Sequence, residues 1–76
     1  MTQLEVSSKN SKYDERHDVL HVFLGNSDNA FMDEEFPGVY VNKEDSTDEV
    51  VGLTLMDFKK RRSEILEWLP QYKFSL

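Results

Sequence analysis

The chain has 76 residues, with 15 Asp and Glu against 9 Lys and Arg and a formal net charge of −6. That length allows one small domain, marginally stable unless something staples it or a partner adds burial. The lack of cysteine excludes a disulfide framework, a thiolate metal site and a cysteine nucleophile, and the acidic balance argues against a general nucleic-acid coat or an anionic-membrane binder.

The start, Met1-Thr2-Gln3-Leu4-Glu5, is polar and has no basic stretch leading into an apolar one. No apolar run approaches the ~18 residues that a bilayer span needs. A soluble cytoplasmic domain without a membrane segment is therefore expected. Charge is unevenly spread: residues 1–58 hold 13 acids and 4 bases, residues 59–76 only 2 acids and 5 bases. Such a basic segment is ordinarily a solvated helix face, although an acidic body could also use it for self-association.

In chain order, Val6 to Tyr13 has a weak strand pattern, and Tyr13 can pair across the turn Asp14–Asp18. Val19-Leu20-His21-Val22-Phe23-Leu24 is a strand bounded by turn residues, with Gly25-Asn26-Ser27-Asp28-Asn29 after it. Leu20, Val22 and Leu24 share its uniformly apolar face, predicted to be core, and Val19, His21 and Phe23 share the other. Ala30–Phe36 alternates loosely around Asp33-Glu34-Glu35, a run of carboxylates that suits an exposed sheet edge. Pro37-Gly38 predicts a type II turn, since proline presets φ and glycine tolerates the positive φ required next. Val39-Tyr40-Val41 reads as a strand ended by the acidic loop Glu44–Glu49. Val50–Met56 follows, with Val51, Leu53 and Leu55 on one face and Gly52 marking a bulge or a close backbone approach.

From Phe58 to Leu69 the pattern turns helical, with Asp57 as a plausible N-cap and Pro70 as the stop. Phe58, Ile65, Leu69 and Tyr72 form an apolar stripe that Arg62 interrupts. Either the helix begins only at Ser63, or Arg62 lies along the stripe and carries its guanidinium to the rim. Four cations at a helix start oppose the macrodipole, which favours the later start. The fold expectation is a single α+β domain over 1–76. It comprises an antiparallel β-meander of four to five strands over about 4–56, one C-terminal helix over about 58–69 on one sheet face, and a short aromatic tail at 70–76.

Tyr13-Asp14, Asp18-Val19-Leu20-His21-Val22, Pro37-Gly38-Val39, Val51-Gly52-Leu53 and Met56-Asp57 follow one another in an order and spacing that resemble a small prokaryotic family, the domain of unknown function 2283. The resemblance covers residues 12 to 62. It implies a small antiparallel sheet with a helix and no assigned activity, so no functional residue is carried over, and for some members it implies an antitoxin-like role beside a small toxin. Three departures stand out: His21 where the family carries an aromatic, Arg62 where an aliphatic is common, and the extension Leu66–Leu76.

The candidate chemistry is thin. His17 and His21 are four apart, a chelating spacing on a helix but ~13 Å on a strand. Asp33-Glu34-Glu35 and Glu44-Asp45 with Asp48-Glu49 could gather a hard cation, yet neither has the EF-hand spacing. The serines lie in no elbow motif, and Gly25, Gly38 and Gly52 are too far apart for a phosphate loop. No enzyme, metal or cofactor is expected. The basic cluster Lys59-Lys60-Arg61-Arg62 could contact phosphates, with Tyr72 and Phe74 near enough to stack on bases, but the acidic body opposes a polyanion. Trp68, Leu69, Tyr72, Phe74 and Leu76 crowd the C-terminal segment. Either they complete an undersized core or they form an interface, the setting in which tryptophan and tyrosine are enriched. The functional expectation is a non-catalytic protein-interaction or assembly module. Its partner is either a basic protein met by the acidic face or a second copy in a homodimer, with nucleic-acid contact through residues 59–62 as the alternative.

Overall fold

Turn residues cut the chain into strands too short to stand alone, and the fold is the pairing that shelters their apolar faces. The structure, a computed structural model, describes residues 4–26 and 28–75. In chain order these form β1 (Leu4–Ser7), β2 (Ser11–Asp14), β3 (Val19–Phe23), β4 (Ala30–Phe36), β5 (Val39–Glu44), β6 (Val50–Met56), the helix α1 (Arg62–Trp68) and β7 (Tyr72–Ser75). Met1 to Gln3 of the polar start, Ser27 of the expected turn and Leu76 of the C-terminal crowd lie outside the described residues.

The expected α+β architecture holds: an antiparallel five-stranded sheet in the order β2-β3-β6-β5-β4, with one short helix. The order departs from a simple meander at one point. After β3 the chain runs to the far edge, and β4, β5 and β6 then return by hairpins until β6 lies beside β3. This arrangement joins the two best apolar strands in the middle of the sheet, Leu20 opposite Leu55 and Val22 opposite Leu53. The carboxylate-bearing β4 is left at an edge, as its charge predicts.

Gly38 takes φ +78° after Pro37, the positive value for which the turn needs glycine. Gly52 meets both expectations placed on it. A Cβ there would fall 2.7 Å from the Val22 carbonyl oxygen and 3.1 Å from Asn42 Nδ2. The β5–β6 register also slips beside it, between Asn42 and Lys43, where the N–H groups of Leu24 and Gly25 both donate to the Val51 carbonyl at 2.9 and 3.0 Å.

Two sequence expectations need correction. The helix begins at Arg62, not at Phe58, and neither Asp57 nor Ser63 caps it: Arg61 occupies the N-cap position without a side-chain cap bond. Asp57 sits at φ +51°, and residues 57–61 form a turn. That turn is held from outside by Asp18, whose carbonyl accepts the Phe58 N–H and whose carboxylate accepts the N–H groups of Lys59 (2.9 Å) and Lys60 (3.4 Å). The segment after Pro70 is no loose tail. It forms β7, parallel to β1, with Leu4 opposite Tyr72 and Val6 opposite Phe74.

The core lies between the five-stranded sheet and a second layer made of α1 and the β1–β7 pair. Leu20, Val22, Val39, Val41, Leu53 and Leu55 from the sheet meet Val6, Phe58, Ile65, Leu69 and Tyr72 from the cover. Leu24 and Val51, expected in the core, are only half-buried, and of the two Leu24 packs at its margin. The opposite face of the sheet has no covering layer among the described residues.

Candidate interaction surfaces

The four C-terminal interface candidates divide. Leu69 and Tyr72 are 2% and 8% exposed and fill the core, where burial raises the Tyr72 hydroxyl pKa. Trp68 and Phe74 stay half-buried at its rim, Trp68 stacked on Phe36 and Phe74 tilted against Phe58 at 6.1 Å. One tryptophan and one phenylalanine therefore reach the surface in place of a continuous aromatic patch.

The basic cluster also divides. Lys59 Nζ lies 5.1 Å from the Tyr13 ring centroid, the Arg62 guanidinium 5.9 Å from that of Phe58, and the Arg61 guanidinium 5.1 Å from that of Trp68. Arg61 also donates to the Pro37 carbonyl at 2.9 Å and pairs with Glu64 at 3.4 Å. Lys59 and Arg62 thus border one hollow, whereas Arg61 points its charge to the other end of the helix start, beside the Pro37 turn.

Several acidic groups hold local partners. Asp33 and Glu35 clasp Lys43 Nζ at 3.1 and 3.3 Å, and Asp33 first, then Glu35, raises its pKa. Glu34 accepts the Gly38 N–H at 3.2 Å. Asp14 pairs with His17 Nδ1 at 2.8 Å, which holds the carboxyl below its usual range. His21 is elsewhere, on the sheet. No group of three or more His, Cys, Asp and Glu gathers into a metal-ligand set among the described residues, and no helix among them is long and apolar enough to cross a membrane.

The surface that the sequence reading did not single out is the uncovered sheet face. Cross-strand register defines it, because directly opposed residues share a face. One row runs Lys12–His21–Thr54–Tyr40–Glu34 across all five strands, and beside it lies Phe23–Gly52–Asn42–Met32. Phe23, Met32 and Met56 on this face are 59%, 55% and 42% exposed. Asn42 Oδ1 is shielded from solvent there and has no hydrogen-bond partner. The signal for this surface was in the sequence: one helix can cover only one side of a sheet, and Val19, His21 and Phe23 already alternate with the core residues.

Comparison with protein-family models, with curated proteins and with solved structures returns no match.

Proposed function

We propose that this chain is a non-catalytic protein-interaction module of the cytoplasm, akin to the domain of unknown function 2283, which assembles with a second copy of itself through the open face of its five-stranded sheet. The observation that carries this reading is the row across that face. Lys12 stands at one edge, Glu34 at the other, and Thr54 of the central strand lies midway. A two-fold axis running along β6 sets two such faces together with Lys12 of each copy against Glu34 of the other. His21 then meets Tyr40, and Thr54 meets Thr54. The exposed Phe23, Met32 and Met56 supply the apolar contact.

Five strands at ~4.8 Å spacing give a face of at most roughly 500 Å² per copy, below the ~800 Å² of a standard interface, so the pair dissociates on dilution. The acidic remainder of the surface then suits a basic protein partner, the antitoxin-like version of this reading, with charge speeding the encounter. Nucleic-acid contact through Lys59, Lys60, Arg61 and Arg62 has less support, because Arg61 is engaged apart from Lys59 and Arg62.

Light scattering across a concentration series tests the proposal. The expected mass rises toward twice the 8.9 kDa of the chain, and Phe23→Lys holds it at one copy with unchanged circular dichroism. A wild type that remains a single copy at high micromolar concentration, or a Phe23→Lys variant that still pairs, overturns it.

A further inference from the structure

We propose that the hollow between β2 and the turn preceding α1 binds a small anion carrying a flat apolar ring, an aryl carboxylate or aryl phosphate, with its charge held by Lys59 and Arg62. The site is separate from the open sheet face and does not depend on pairing. The hollow has a volume of about 320 Å³, at the lower end of the range for small-molecule sites. Tyr13, Leu20 and Phe58 supply its apolar lining, and Ser8, Ser11, Lys59 and Arg62 its polar lining. No carboxylate lines it. Asp18, which contacts its lining residues Tyr13 and Lys59, accepts the Tyr13 hydroxyl (2.7 Å) and the N–H groups of Lys59 and Lys60.

Two observations point to an anion with a ring. First, Lys59 and Arg62 form no ion pair among the described residues and make only ring contacts, with Tyr13 and Phe58 respectively. Of the other cations named above, Lys43 pairs with Asp33 and Glu35 and Arg61 with Glu64, while Lys12 and Lys60, which also form no ion pair among the described residues, do not border this hollow. In a chain of net charge −6, two cations without an ion pair border one apolar wall that no carboxylate lines. Second, two further hollows lack this combination. The one beside Trp68 includes Glu35 with Lys43, and the one beside His21 includes Asp14 and Glu15 with Lys12. An anion without a ring would leave the wall of Tyr13 and Phe58 wet, and a neutral ring would leave both cations unpaired. A ring bearing a carboxylate or phosphate answers both, because guanidinium and ammonium form their strongest hydrogen bonds with ionised oxygens.

The test is a titration of the whole chain followed through its backbone amide resonances, with naphthoate, naphthyl phosphate, the neutral naphthamide and acetate as probes. The expected result is saturable shifts at Ser8, Ser11, Tyr13, Lys59 and Arg62 with the two ring anions only. The pair of substitutions Lys59→Gln and Arg62→Gln, both at exposed positions, should weaken binding by at least ~10-fold with the rest of the spectrum unchanged. Tighter binding of naphthyl phosphate identifies the natural ligand as a phosphate; equal or tighter binding of naphthoate identifies a carboxylate. The proposal is overturned if naphthamide or acetate produces the same shifts, if the shifts centre on Trp68 or the open sheet face, or if no probe saturates.

Discussion

Phe36, at the end of β4, and Trp68, at the end of α1, stack with ring centroids 5.1 Å apart and planes 2° from parallel. The pair joins the edge strand of the sheet to the covering helix, at the margin of the core. Arg61, at the helix start, lies over the same indole and bonds the Pro37 carbonyl immediately after Phe36.

This contact predicts a measurable coupling. In a double-mutant cycle with Phe36→Leu and Trp68→Leu, followed by urea unfolding, the interaction energy should be about 0.5–1.5 kcal/mol beyond the loss of buried area. Additive single effects would show that the rings merely adjoin.

Asp18 and Tyr13 predict a two-sided pH dependence. The Tyr13 hydroxyl donates to Asp18 Oδ1 at 2.7 Å; this bond, with the Lys59 N–H, lowers the Asp18 pKa from its ordinary 3.8. The same bond, with burial and neighbouring carboxylates, raises Tyr13 from 10.0 to about 12. A lowered carboxylate pKa stabilises the fold above the unfolded value and loses that contribution as pH falls through the folded one. A raised tyrosine pKa stabilises the fold below its unfolded value and loses that contribution as pH climbs toward the folded one. Tm should therefore be level between about pH 5 and 9 and fall on both sides. Asp18→Asn should flatten part of the acid limb and most of the alkaline limb, and it should lower the plateau by releasing the turn before α1. An unchanged alkaline limb in this variant would mean that Asp18 does not set the Tyr13 pKa.

Gly52 and Gly25 predict opposite tolerance to alanine. At Gly52 the added methyl meets backbone, the Val22 carbonyl oxygen at 2.7 Å, whereas at Gly25 it makes ordinary contact with Val51 Cγ1 at 3.5 Å. Gly52→Ala must push two central strands apart and should cost about 2 kcal/mol or more. Gly25→Ala should lie within about 0.5 kcal/mol of wild type. Chemical denaturation of the two variants side by side decides this, and equal midpoints would contradict the close approach.

The edge charges predict a reversible switch in assembly. Lys12→Glu sets two acids against each other in the face-to-face pair and should shift the population to single copies at concentrations where wild type pairs. Adding Glu34→Lys should restore pairing. Because Glu34 also accepts the Gly38 N–H, circular dichroism must accompany the mass measurement. A double variant that folds and stays unpaired would rule out this orientation of the two faces.

What could be read from the sequence was local. β3, β6 and the Pro37-Gly38 turn follow from alternation and turn chemistry within a few residues, and the core face containing Leu20, Val22, Leu53 and Leu55 follows from period-2 counting. What escaped was set from far along the chain. The helix starts at Arg62 because Asp18, more than forty positions earlier, takes the amides that a local cap would otherwise serve. β7 escaped because its four residues, preceded by Pro70, become a strand only beside β1. Helical periodicity identified Leu69 and Tyr72 as apolar anchors without saying whether they meet this chain or another. The hollow beside Lys59 and Arg62 joins residues from both ends of the sequence, which no local motif announces.

The parallel pairing of β1 with β7 has a consequence for synthesis. Val6 is fully enclosed, yet its strand partner, residues 72–75, leaves the ribosome more than sixty residues later. During that interval the nascent chain carries an unshielded aliphatic side chain and a strand with no neighbour, the state in which emerging polypeptides are most open to chaperone capture and to one another. Completion of the fold is thus a late event, set by the pace of translation as much as by the strength of any contact in the finished molecule.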